Sequence, residues 1–355
     1  MQRHGAKNII DIHCHTAGIG AGNSGCFVSA AMGRSWRYKI YLRAFGVTEK
    51  ELHREGDGLI LRLISQDLER SGRVAAAVIL AMDGVVDEGG ELDRSRTEIF
   101  IPNEFVAAEA AKYPNLLFGA SINPLRPDAL QLLEKAAQSG AVLLKWLPPI
   151  QHIDPADERL TPFYLGLKQL GLPLLTHTGS ERSFTSARNE LGDPQRLRLP
   201  LSLGVTVIAA HAGSNGRNRG ESNFKRFLRL SREFPNLYAD ISALTQVNRL
   251  GQLQRLLKHR ELHGRLLYGT DMPLLNTPMV TPFAFPASLS PGKMLEIARM
   301  GNIWDRDVAL KEALGVGEEI FQRGATLIKL QRGETSLTRS VTSRAITDYT
   351  VQRSK

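Results

Sequence analysis

Apolar, β-branched-rich residues recur along the chain in eight short runs. In order they are "NIIDIHCH" (8–15), "VAAAVILAM" (74–82), "LLFGASIN" (116–123), "AVLLKWL" (141–147), "LPLLTHT" (172–178), "VTVIAAH" (205–211), "LYADISA" (237–243) and "RLLYGTD" (265–271). Such near-continuous runs suit strands covered on both faces of a parallel sheet. The stretches between most of them carry apolar residues at helical spacing. "PNEFVAAEAAKY" opens near Pro102 and stops before Pro114, and "PDALQLLEKAAQSG" runs from Pro127 to a terminal Gly140, both with the punctuation of helices. "LTPFYLGLKQLG", "SNFKRFLRLSREF" and "VNRLGQLQRLLKHR" follow later strands, and "SPGKMLEIARM" and "RDVALKEALG" make a helical ending.

Strand alternating with helix eight times predicts an α/β fold of the (β/α)8 TIM-barrel kind. A doubly wound open sheet would more often have fewer strands and a glycine-rich phosphate turn after the first. The segment "AGIGAGNSG" (17–25) is glycine-rich, but it lacks the ordered G-x-G-x-x-G leading into a helix, which argues against dinucleotide binding. The departure from a minimal barrel is a long insertion after strand one, roughly 17–73. It contains its own helical material, "WRYKIYLRAFG" and "GLILRLISQDLERSG", and is expected to form a lid or an oligomer contact. The barrel is expected over residues 1–330, with a flexible tail at 331–355.

Composition changes this picture little. The chain has 355 residues, 42% hydrophobic and 23% charged, as for a globular protein with a sizeable core. No apolar run approaches the ~20 residues that span a bilayer, and the N-terminus lacks the pattern of a signal peptide. With only Cys14 and Cys26 there is no disulfide framework. A cytoplasmic protein without membrane contact is therefore expected. The net charge of +9 is concentrated at the end, where residues 323–355 carry +5 in a Ser-, Thr- and Arg-rich stretch. That reads as a disordered basic C-terminal tail rather than a nucleic-acid interface.

Candidate chemistry clusters where barrels keep their active sites, at the C-terminal strand ends. His13 and His15 end strand one, Lys145 lies in strand four, His177 ends strand five, His211 strand six and Asp271 strand eight. Imidazole and carboxylate are natural ligands of Zn²⁺ and similar ions. Four of the nine histidines thus fall at the mouth. Strand alternation predicts that Asp11, His13 and His15 share one face, with Asp11 orienting a ligand from one layer deeper, while Cys14 points toward the helices.

H-x-H on strand one, His on strands five and six and Asp on strand eight resemble the pattern of the amidohydrolase superfamily. "LPLLTHTGSE", "LLYGTDMP" and "GAVLLKWLPPIQHIDP" are similar to strands five, eight and four of its amidohydrolase-related branch of metal-dependent TIM-barrel hydrolases. The resemblance covers roughly residues 8–325. It implies a divalent metal, zinc first with manganese, iron or nickel as alternatives, as one or two ions. His13, His15 and Asp271 would hold the first. In binuclear members a strand-four lysine carboxylated by CO₂, here Lys145, bridges to a second ion held by His177 and His211. In mononuclear members the strand-five histidine joins the first ion and the strand-six histidine acts in the chemistry. Lys145 could alternatively make a salt bridge or hold an anionic substrate.

The function so implied is metal-assisted hydrolysis of an amide, lactone or other ester in a small molecule. Asp271 would move the proton of the attacking water, and His211 would stabilise the oxyanion if it is not a ligand. The alternatives are non-oxidative decarboxylation or hydration of a small aromatic or unsaturated acid, and an inactive metal-binding barrel acting as a scaffold. For substrate contact, Arg182, Asp83 and Asn123 are the candidates. Arg188, Arg34, Arg37, Lys39 and Ser242 are further polar groups near the mouth, and Glu181 and Trp146 allow either role. Arginines there suit a carboxylate-bearing substrate. The expected partners are a small molecule and, through the insertion, a second copy of the chain.

Overall fold

The structure, a computed structural model, describes residues 8–328. Eight parallel strands lie side by side in chain order: β1 (Ile9–His15), β2 (Val74–Leu80), β3 (Leu116–Ala120), β4 (Ala141–Trp146), β5 (Leu174–His177), β6 (Val207–Ala210), β7 (Leu237–Asp240) and β8 (Leu266–Leu267). The first and last strands meet through Ile12 N–H to the Tyr268 carbonyl (3.3 Å), Asp271 N–H to the His13 carbonyl (2.9 Å) and His15 N–H to the Met272 carbonyl (3.3 Å). This closes the sheet into the (β/α)8 barrel that the alternation predicts. Its inner core is one residue from each successive pair, among them Val78, Leu143, Leu175, Ile208 and Leu267. Their neighbours Ile79, Leu144, Leu174, Val207 and Leu266 pack in the larger cluster with the helices, so both sheet faces are apolar for the reason the sequence suggested. The tail at 331–355 lies outside the described residues.

The insertion holds four helices, α1 (Ala30–Arg34), α2 (Trp36–Ala44), α3 (Glu49–Glu55) and α4 (Gly58–Arg70). A short antiparallel ribbon, Phe27–Val28 with Ile99–Phe100, ties it to the connection after β2. α2 bridges to the loop after β5, where the Tyr41 hydroxyl donates to the Ser183 carbonyl and Arg37 Nη1 to the Phe184 carbonyl, both at 3.3 Å. One expected helix is shorter than its pattern. Gly251 adopts a left-handed φ of 78°, which glycine tolerates, and confines the helix to Gln252–Leu257. Val247–Arg249 before it forms a separate turn. No helix among the described residues is long and apolar enough to cross a membrane.

Candidate metal centre at the barrel mouth

The strand ends bring His13, His15, Lys145, His177, His211 and Asp271 to the wall of one cavity of about 490 Å³. His13 arrives there by a departure from simple alternation. Asp11 pairs opposite Ala77 and Cys14 opposite Ile79, so β1 spends one residue more than β2 over this span. Such a bulge reverses which face the following residues take. Asp11 consequently faces the helices, where its Oδ2 accepts from Trp304 Nε1 (3.1 Å) and Thr270 Oγ1 (2.6 Å). His13 and His15 turn inward. Cys14 packs outward, as expected.

The expectation that Asp11 shares their face and orients a ligand is therefore corrected. It fixes backbones instead, accepting from the N–H groups of His13 and Thr270 at 3.0 Å each. The orienting carboxylate is Asp240 at the end of β7, whose Oδ2 accepts from His13 Nδ1 at 2.8 Å. Its Oδ1 takes the N–H of His211 (2.9 Å), the N–H of Ser242 (3.1 Å) and the Ser242 hydroxyl. Burial alone would raise the Asp240 carboxyl, but His13 and His211 hold it well below the usual carboxylate range. His211 has φ 60° and Ala212 φ 51°, a left-handed turn costly to non-glycine residues. The Asp240 bond to the His211 N–H pins it. Gly269 completes the approach of β8, since a Cβ there would stand 2.9 Å from the His13 Cβ.

Around His13 Nε2 lie Lys145 Nζ at 2.8 Å, His15 Nε2 at 3.2 Å and Asp271 Oδ1 at 3.4 Å. His15 Nε2 is also 3.4 Å from Asp271 Oδ1. Among the described residues, two groups have ligand-bearing atoms close enough to share an ion, His13–His15–Asp271 and His13–His211–Asp240. Both Asp240 oxygens are already taken up by donors, so the second group supports the first.

The ring protons fit the same reading. An acceptor at Nδ1 keeps the proton there and leaves Nε2 bare as a ligand. His13 has Asp240, His177 has Glu181 Oε2 at 3.5 Å, and His211 has the Ser242 carbonyl at 3.1 Å. His177 Nε2 is buried without a hydrogen-bond partner. Burial, with lesser contributions from nearby cations, lowers His177 to about 4 and His211 well below its ordinary value. Asp271 is held far below the carboxylate range, burial opposing and His211, His15 and His13 prevailing. Burial lowers the Lys145 ammonium to about 8. Lys145 makes no ion pair among the described residues, and its amine faces His13. These residues fit a divalent metal with nitrogen and carboxylate donors.

The remaining expectations divide. Arg182 lines the cavity, and so does Arg37. Asp83 and Asn123 do not. Asp83 pairs with Arg126 through two bonds of 2.8 and 2.6 Å and accepts the Asn123 N–H at 2.7 Å. The Asn123 amide is consumed by the carbonyls of Gly84 (2.9 Å) and Gln151 (3.1 Å). Both are buried structural groups, and their reading as substrate contacts is withdrawn. Ser242 bridges Asp240, His13 and His211. Glu181 orients His177, Trp146 donates Nε1 to the Ile122 carbonyl at 2.7 Å, and Arg188 pairs with Glu190 on the surface. Sequence reasoning missed Asp240 and Arg249. An aspartate ending an apolar strand was a visible signal for the first.

A sequence model of the family described as amidohydrolase matches residues 10–285. No curated protein matches the chain. Among solved structures, an uncharacterised TIM-barrel protein from Bordetella bronchiseptica is 18% identical, with a TM-score of 0.52, covering 86% of this chain and 99% of its own. A candidate 2-pyrone-4,6-dicarboxylic acid hydrolase from Pseudomonas putida is 15% identical at a TM-score of 0.52, covering 92% and 99%. A 2,6-dihydroxybenzoate decarboxylase from Rhizobium is 14% identical at 0.52, covering 92% and 100%. At these identities the likeness is one of fold.

Proposed function

The chain belongs to the amidohydrolase family, and from that premise we propose that it is a metal-dependent hydrolase cleaving an amide, lactone or other ester bond of a small molecule. The observation that carries this reading is the convergence of His13 Nε2, His15 Nε2, Asp271 Oδ1 and Lys145 Nζ on one point of the cavity. His13, His15 and Asp271, with His177 and His211 beside them, would hold a divalent ion, which would lower the pKa of a water and polarise a carbonyl. Its donors suit Zn²⁺, with Mn²⁺, Fe²⁺ or Ni²⁺ as alternatives. Asp271, whose carboxyl lies well below its ordinary range, accepts the proton of the attacking water and returns it to the leaving group. His211 offers a bare Nε2 while its Nδ1 proton donates to Ser242. It is thus a better ligand or proton acceptor than the oxyanion donor first expected.

Lys145 decides between one ion and two. A buried amine lowered to about 8 has a substantial neutral fraction at slightly alkaline pH, and the neutral amine is the form that adds CO₂. Addition of CO₂ to that amine would form an N–C bond and release one N–H proton to solvent, leaving a carbamate anion with two ligand oxygens. Both cysteines are free and buried, which suits a reducing compartment such as the cytoplasm.

A second reading, non-oxidative decarboxylation or hydration of an aromatic or unsaturated acid, is favoured by the apolar wall of Tyr41, Phe45, Leu147 and Met272. The test is metal content of protein purified with bicarbonate, wild type against Lys145→Ala, followed by amide and lactone screening and CO₂ release from aromatic acids. Two ions falling to one or none, with amide or lactone turnover, supports the hydrolase. One ion unchanged by the substitution, with CO₂ release, transfers the site to the second reading.

A further inference from the structure

Arg249 stands in the turn that Gly251 separates from the following helix. It is only 9% exposed and lines the same cavity as His177, His211 and Asp271. Its Nη1 donates to Ser214 Oγ at 2.7 Å, yet its Nε is buried without a partner. No carboxylate among the described residues lies within ion-pairing distance of it. Asp271, Glu181 and Asp240 act on it favourably from farther away, and Arg182 opposes them. A buried guanidinium with an unused donor and no ion-pair partner is costly.

Gln246, three residues earlier, repeats the feature. It is buried, its Nε2 has no partner, and it lines the same cavity. Two residues of one turn, each with a buried unpartnered donor, thus line a cavity that Tyr41, Phe45 and Leu147 also line. Guanidinium and amide donors together match a planar, singly charged acceptor. A phosphate would bring a second negative charge toward the ionised Asp271.

We propose that Arg249, assisted by Gln246, is a specificity-determining residue that binds a carboxylate on an otherwise apolar substrate. This rests on the reading of the barrel mouth as the active site, and it names the class of molecule that site receives.

The test is calorimetric titration of the full chain with benzoate and with its neutral isostere benzamide, before and after chelation. Charge-assisted hydrogen bonds predict that wild type binds benzoate roughly tenfold or more tightly than benzamide, and that the preference persists after chelation. Arg249→Met is expected to reduce it to less than about twofold, and Arg249→Lys to restore part of it. Gln246→Leu is expected to weaken benzoate several-fold and carries the test if Arg249→Met does not fold. Equal binding of the two probes, or an unchanged preference in Arg249→Met or Gln246→Leu, overturns the proposal. So does a preference that vanishes on chelation yet survives Arg249→Met, because the carboxylate would then sit on the metal. Metal content is measured on the same samples. A chain that takes up no metal but keeps an Arg249-dependent preference defeats the hydrolase reading and leaves this one standing.

Discussion

Two sides of the same barrel mouth carry polar residues at strand ends and use them in opposite ways. Beside β2 and β3, Asp83, Asn123, Arg126 and Gln151 satisfy one another and the nearby backbone. Asp83 alone receives Arg126, the Asn123 N–H and the Gly84 N–H. At the ends of β1, β5 and β6, His13, His177 and His211 are held at Nδ1 by Asp240, Glu181 and Ser242, and their Nε2 atoms are left without a proton at the cavity wall. Position at a strand end brings a residue to the mouth. Whether its donors and acceptors are already used determines what it can do there.

This contrast can be broken at either side. We predict the largest effect for Asp271→Asn, which removes the proposed proton acceptor and should lower kcat by about 10²–10⁴-fold on any amide or lactone found by screening. Full activity would remove Asp271 from the chemistry. Next, Asp83→Ala leaves Arg126 half of a broken buried pair and should cost about 3 kcal/mol in denaturant unfolding. Metal content should be unchanged, and a loss of metal there would erase the distinction between the two sides. Third, Asp240→Asn exchanges the acceptor that fixes the His13 tautomer. Metal affinity measured by chelator competition should fall about 10–100-fold, and an unchanged affinity would leave Asp240 a purely structural group. The smallest effect is expected for Arg188→Ala, an exposed residue paired with Glu190. It should shift stability by no more than about 0.5 kcal/mol and leave the benzoate preference intact. Loss of that preference would relocate the carboxylate site to the loop after β5.

Much of this architecture was legible in the sequence. Eight apolar runs gave eight strands, and the residues at their ends, from His13 to Asp271, meet in one cavity because a closed parallel barrel gathers its C-terminal strand ends. What escaped depends on contacts that no local pattern encodes. The bulge after Asp11 reverses the face of His13, and without it both β1 histidines would point at the helices. His211 reaches the cavity through a left-handed turn that Asp240 holds from the neighbouring strand. The pairing of His13 with Asp240 spans 227 positions. Asp83 and Asn123 were misread because their saturation is visible only once Arg126 and Gln151 are packed against them. Arg249 was hidden inside a pattern that reads as one helix until Gly251 breaks it.

On the proposed function, the barrel mouth holds a divalent metal between β1 and β8. The most direct measurement is metal per chain by mass spectrometry on chelator-free protein, wild type against His13→Ala, with thermal melting to verify that both are folded. At least one ion per wild-type chain is expected, and its loss from the folded variant. A wild-type chain that holds no stoichiometric metal even after reloading, or a variant that keeps its full complement, would contradict it.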